Sequence, residues 1–134
     1  MESGYSENMA LVHETLLNIK KAILMLQEWN KDVQSPDEWV SSPSGMQKLA
    51  GNCMLIETIG ESVKKIEKRV GMEFLNQCPD IPWRDIMGMR NHIAHGYFDI
   101  DDSYVFSVIK NDLTPLLKAV DILLNLSDEY YLTV

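Results

Sequence analysis

Apolar residues recur along this chain at helical spacing. Met9, Val12, Leu16, Ile19, Ile23 and Leu26 follow one another at intervals of three and four, which puts them on one face of a helix over about residues 6–30. A second stripe runs through Met46, Leu49, Cys53, Ile56, Gly60, Val63, Glu67 and Val70, flanked by Met54, Leu55, Ile59 and Ile66. That helix begins near Ser42 with Pro43 at its first position, and Gly71 is a natural stop just past its end. Gly60 lies on the stripe. Glycine costs about 1 kcal/mol relative to alanine inside a helix, so its place there predicts close packing against another element. Between the two stripes, Ser35, Pro36, Asp37 and Glu38 have the form of a capping box. The breakers that follow at 41–45 leave room for only a short turn.

Pro82 opens a third helix over residues 83–94, with Ile86, Met89 and Ile93 on one face and Gly96 at its end. Residues 72–81 read as a loop or a short helix. Asp99, Asp101, Asp102 and Ser103 offer N-caps and early negative charge to a last helix carrying Val105, Ile109, Leu113, Leu116, Val120 and Leu123. Pro115 predicts a kink or break within it. No segment alternates as a strand does, and there are no repeats or low-complexity linkers. The expected fold is all-α, an up-and-down bundle of four to five helices forming one domain over residues 1–134.

Composition narrows the function classes. The chain is 46% hydrophobic and 24% charged, as in a soluble globular protein. No apolar run approaches the roughly 20 residues of a membrane span. The first residues have neither a basic start nor an apolar stretch, so no signal peptide is expected. Cys53 and Cys78 lack a C-x-x-C arrangement and read as reduced thiols of a cytoplasmic protein, with Cys53 in the core. The formal charge of −8 opposes a generic nucleic-acid-coating role but leaves room for a local basic site.

The candidate chemistry converges on residues 90–97. Arg90 is a permanent cation with a planar fork of donors suited to phosphate. His95 can give and take a proton near neutral pH. Asn91 adds an amide, and Tyr97 a phenol two residues beyond the histidine. Such groups are enough to cleave RNA without metal, with a base on the 2′-hydroxyl, an acid on the leaving 5′-oxygen and a cation on the phosphate between them. Five positions on an ideal helix turn about 500°, leaving Arg90 and His95 some 140° apart. They can share a site only if the helix ends near His95. A second chain about a two-fold axis would supply the second acid/base group. On spacing alone each residue also has a plain structural role: a solvated arginine, a histidine capping a helix end, a tyrosine at the edge of the core.

The stretch 81–101 resembles the signature region of HepT-like proteins of the HEPN superfamily. Their motif R-x-x-x-x-H-x-Y falls on Arg90, His95 and Tyr97, with Asn91 as the polar residue after the arginine. Ile59, Gly60, Glu61 and Ser62 are similar to the family's I-G-E-A, with serine replacing alanine, and residues 111–116 also fit. The resemblance implies a homodimeric toxin of a toxin–antitoxin pair that acts as a metal-independent endoribonuclease and needs no cofactor. It implies Arg90 as phosphate binder, His95 as acid/base and Asn91 as their helper. It also implies an MNT-type nucleotidyltransferase antitoxin that transfers AMP from ATP to Tyr97, adding bulk and negative charge beside an anion site.

Other readings compete. A catalytically silent module that only binds a nucleotidyltransferase partner or a nucleotide would suit the acidic charge. His92 and His95 could share a metal with Asp99 or Asp101, but lone histidine pairs near helix ends are more often not ligands. His13 borders the first stripe and reads as packed or solvated. Lys64, Lys65, Lys68 and Arg69 could touch an RNA backbone, although alternation with Glu61 and Glu67 favours an ordinary solvated face.

Overall fold

The computed structural model describes the backbone of residues 2–132 and the side chains of residues 4 and 7–128. Three long helices carry the fold: α1 (Glu2–Trp29), α3 (Pro43–Val70) and α8 (Leu113–Leu132). Shorter segments join them: α2 (Asp37–Val40), α4 (Met72–Leu75), α5 (Trp83–Met87), α6 (Arg90–Ile93) and α7 (Asp102–Ser107), with a π-helical turn at Val108–Asp112 before α8. The fold is an all-α helical bundle, and no helix among the described residues is long and apolar enough to cross a membrane.

Helix α1 lies between α3 and α8. Its six stripe residues are all buried to 1% exposure or less, so the apolar periodicity is the packing code itself. Asn30 at the end of α1 bonds to Asn52 early on α3, whereas Asn8, Leu11 and Thr15 face Lys65, Lys68 and Arg69 near its far end. The two helices therefore run antiparallel. So do α1 and α8, where His13 meets Ser127 at 2.7 Å and Lys20 meets Asp121 at 2.8 Å.

Local chemistry sets the ends. Ser42 caps α3 by accepting from the Gly45 amide at 3.0 Å, and Pro43 occupies the first turn, where no amide donor is needed. Gly71, at φ 81°, ends the helix and donates to the Glu67 carbonyl. Glu38 supplies half of the expected capping box, since its carboxylate accepts from the amides of Gln34 and Ser35. The Ser35 hydroxyl caps nothing in return, and α2 stays one turn long.

One expected helix differs from its sequence reading and another is interrupted as expected. The segment over 83–94 is not continuous. It breaks at Gly88 and Met89 into α5 and α6, because the amides of Met89, Asn91 and His92 donate three residues back, to Ile86, Gly88 and Met89, in tight turns instead of one α-helical ladder. It stops at Ile93, within one residue of the expected end, because Ala94 is extended (φ −161°, ψ 149°). The last helix is broken as Pro115 foretells. The π turn at Val108–Asp112 directly precedes the turn that holds the proline, whose ring cannot donate back and crowds the carbonyl behind it.

Among the described residues, the bundle buries a polar pair that apolar periodicity does not reveal. Asn30 and Asn52, each 1% exposed or less, exchange amide hydrogen bonds of 2.8 and 3.0 Å. Trp39 Nε1–H donates to the same Asn30 oxygen at 3.2 Å, and Asn30 Nδ2 also donates to the Leu26 carbonyl at 2.8 Å. These bonds tie α1, α2 and α3 together without an unpaired buried group.

Candidate active site

The site begins with the packing of α5 on α3. Gly60 sits under the backbone of α5, where a Cβ would stand 2.8 Å from the Ile86 carbonyl oxygen. Trp83 is buried beside it and donates its indole N–H to the Cys78 carbonyl at 3.0 Å. With α5 anchored at Trp83 and Ile86, the chain turns at Gly88 and begins α6 at Arg90. Ile93 is fully buried, and Arg90 and Asn91 are exposed.

Beyond Ile93 the backbone forms a small hairpin. Ala94 pairs antiparallel with Ile100, and the Asp101 amide donates to the Ile93 carbonyl at 2.8 Å. Inside that bridge, the His95 amide donates to the Asp99 carbonyl at 3.0 Å, and the Asp99 amide to the Gly96 carbonyl at 3.1 Å. Residues 96–99 are thus a β-turn with Tyr97 and Phe98 at its corner. Gly96 has φ 131°, a backbone shape that side-chain-bearing residues rarely adopt. Asp101 then caps α7 by accepting from the Tyr104 amide at 3.0 Å.

This hairpin removes the premise of the angular mismatch between Arg90 and His95. Because Ala94 is extended, His95 does not occupy a helical position, and the 140° separation expected of a continuous helix does not apply. The side chains of Arg90, Asn91 and His95 are exposed, and none has a hydrogen-bond or ion-pair partner among the described residues. Tyr97 is 44% exposed and its ring meets Phe98 edge-on at 5.1 Å. One helix end and one turn therefore present the four residues, but no direct contact joins them within the chain. A free guanidinium, a free imidazole and a free phenol can bind an anion and move protons; one chain offers a single set.

Phe98 escaped the sequence reading although it is the most exposed large apolar residue described, at 96%. Its only signal was its position between Tyr97 and Asp99. On the far side of α6 from Arg90, His92 packs on Tyr104 with ring centroids 5.5 Å apart. These two line a cleft of about 410 Å³ with Asp85, Met89, Asp112 and Leu116 among its walls. Burial raises the Tyr104 phenol above its ordinary range, reinforced by Asp112, Asp85 and Asp101, and burial also raises the Asp112 carboxyl. His92 is thus engaged with a ring. Among the described residues no group of three or more His, Cys, Asp or Glu side chains is arranged to hold a metal ion.

Comparison with known proteins places the chain among ribonuclease-like sequences. A "Probable ribonuclease HepT" from Thermococcus cleftensis is 28% identical over 103 residues, 77% of this chain and 86% of that one. A protein of Methanocaldococcus jannaschii named as a candidate RNase is 33% identical over 67 residues, 50% of this chain and 58% of its own length. A second from the same organism, named as a gamma-glutamylcyclotransferase and candidate RNase, is 28% identical over 107 residues, 78% of this chain and 44% of that protein. The chain thus spans about half the length of some relatives. No solved structure gives a significant match. The family profile described as "Ribonuclease HepT-like" matches residues 19–123, which include the whole of the 90–97 segment, and the chain belongs to that family.

Proposed function

We propose that this chain is a metal-independent endoribonuclease, the toxin of a toxin–antitoxin pair, acting as a homodimer. The observation that supports the reading is the helix end at Ala94, which takes His95 off the helix that carries Arg90 and leaves both side chains exposed and uncommitted. Arg90 binds the scissile phosphate and stabilises the charge that builds on it. His95 takes the proton of the 2′-hydroxyl, whose oxygen attacks phosphorus. The 5′-oxygen leaves with a proton from the second chain's histidine, giving a 2′,3′-cyclic phosphate and a 5′-hydroxyl end. Asn91 assists in holding the phosphate. Two chains meeting about a two-fold axis supply both acid/base groups.

Tyr97 is the proposed point of control. Its phenol oxygen attacks the α-phosphate of ATP on an MNT-type nucleotidyltransferase antitoxin, forming the AMP ester and releasing pyrophosphate. The ester places bulk and negative charge beside the anion site and so opposes RNA. The exposed position of Tyr97 at a turn corner supports this role.

The test is cleavage of unstructured RNA by the purified, unmodified protein in EDTA. The wild type is expected to cut, and His95→Ala and Arg90→Ala to lose activity. Equal activity in all three proteins refutes the site. Absence of cutting by the wild type, together with tight binding of the nucleotidyltransferase, favours the silent module that the net charge of −8 suits.

A further inference from the structure

The chain carries formal charge −8, yet one groove on it is basic. It runs between the first half of α1 and the end of α3, encloses about 600 Å³, and is lined by Asn8, Leu11, Thr15, Lys65, Lys68 and Arg69. The sequence alone suggested that Glu61 and Glu67 neutralise this face. The structure assigns those carboxylates elsewhere: Glu61 pairs with Lys64 at 3.5 Å, and Glu67 takes Arg84 at 3.2 Å. Lys65, Lys68 and Arg69 have no ion-pair partner among the described residues. Glu7 and Glu14 flank Leu11 about one helical turn before and after it on α1, so they edge the groove without lining it.

Helix polarity does not account for the cluster. Lys68 and Arg69 stand in the last turn of α3, where cations answer the helix dipole, but Lys65 lies before it. The three cations are also gathered over little more than one helical turn, with the amide of Asn8 and the hydroxyl of Thr15 on the facing wall. An open strip of long cationic side chains with polar neighbours suits a row of phosphates, which point charges can meet without a fixed geometry.

We propose that this groove is an auxiliary contact for the phosphodiester backbone of single-stranded RNA, resting on the RNA-cleaving reading of the Arg90–His95 segment. It gives an acidic protein a local track for its substrate. The three side chains would hold the strand while the chemistry proceeds elsewhere.

The experiment measures binding of fluorescein-labelled oligouridylate to full-length protein carrying His95→Ala, which prevents cleavage, over a range of salt concentrations. Adding Lys65→Gln, Lys68→Gln and Arg69→Gln is expected to weaken binding about tenfold at low salt. It should also reduce the slope of log affinity against log salt by about 2, since each single-strand phosphate contact contributes about 0.7. A second variant, Lys65→Arg with Lys68→Arg, retains the slope, and thermal unfolding of both checks the fold. Unchanged affinity and slope in the glutamine variant overturn the proposal. So does loss of binding to phosphatidylserine vesicles with RNA binding intact, which would make the groove a membrane contact. Charge-dependent RNA binding by a wild-type chain that cuts no RNA refutes the nuclease and leaves the groove standing.

Discussion

Gly60 of α3 lies so close to Ile86 of α5 that a Cβ at position 60 would stand 2.8 Å from the Ile86 carbonyl oxygen. That obstacle is backbone, which cannot swing aside as a side-chain tip can. Gly60→Ala must therefore lift α5 from α3, and with it the segment that leads into Arg90. The expected cost is about 1–3 kcal/mol, as for other overpacked sites. Urea unfolding should show the lower midpoint, and RNA cleavage should fall further than the small loss of folded protein explains. Wild-type stability in Gly60→Ala would show that α5 is free to move and does not fix the site.

The Asn30–Asn52 pair makes a different kind of prediction. Removing Asn52 takes a donor and an acceptor from Asn30 at a place that water does not reach. Asn52→Ala should destabilise the protein by about 1–3 kcal/mol, the cost of stranding a buried polar group plus a small cavity. A double variant in which Asn30 and Asn52 both become leucine should recover part of that loss, less the bond to Trp39 Nε1–H, which also ends on Asn30. Chemical denaturation of the three proteins decides the matter; a single variant as stable as the wild type would show that the pair contributes nothing net.

These two contacts mark the boundary of what the sequence discloses. The α1 stripe was legible because burial follows a fixed period, and all six of its residues are buried. Ser42, Pro43 and Gly71 were legible because helix ends need particular backbone chemistry. Asn52 was not, since its partner is 22 residues away and a polar residue near an apolar stripe reads as solvated. The break at Gly88 was equally hidden, because it accompanies the close packing of Ile86 on Gly60 of another helix. At the candidate site the motif pointed to Arg90, Asn91, His95 and Tyr97. The helix end expected at about Ala94 falls there, but its cause, pairing with Ile100 that holds the chain extended, was not legible.

The cysteines should be inert in the folded protein. Burial, with a smaller contribution from Glu57, pushes the Cys53 thiol up to about 11, and burial raises Cys78 as well. Only the thiolate is nucleophilic, and a thiol at about 11 is roughly 0.1% ionised at pH 8. Iodoacetamide at pH 8 should leave the native chain unlabelled while the urea-unfolded chain gains two adducts by mass spectrometry. Raising the pH within the range of native stability should increase labelling of Cys53 in step with thiolate. Rapid native labelling at pH 8 would contradict the buried placement of both residues.

Asp101 joins the hairpin to α7, and its role divides by atom. The side chain caps α7 through the Tyr104 amide, while its own amide closes the hairpin on the Ile93 carbonyl. Asp101→Ala removes only the cap, so the expected loss is about 0.5–2 kcal/mol. Asp101→Asn keeps an acceptor oxygen and should retain most of the stability. Thermal unfolding distinguishes the two; equal losses would indicate that the charge, rather than the cap bond, is what α7 uses.

Gly96 offers the sharpest separation of site from stability. Its φ of 131° is costly for any residue with a Cβ, about 1–3 kcal/mol, yet nothing lies within 4 Å of where that Cβ would be. Gly96→Ala therefore meets no clash and strains only the turn that holds Tyr97 and Phe98. An exposed turn can relieve such strain by changing shape, so unfolding of the whole protein should shift by less than about 1 kcal/mol. The same relaxation re-aims His95, whose amide is bonded across the turn to Asp99, and moves Tyr97 from its corner. RNA cleavage and AMP transfer to Tyr97 should each fall by at least about tenfold, equivalent to about 1.4 kcal/mol of misplacement in the transition state. Unaltered rates for both reactions would mean that this turn does not position either residue, and would return His95 and Tyr97 to surface side chains without a shared task.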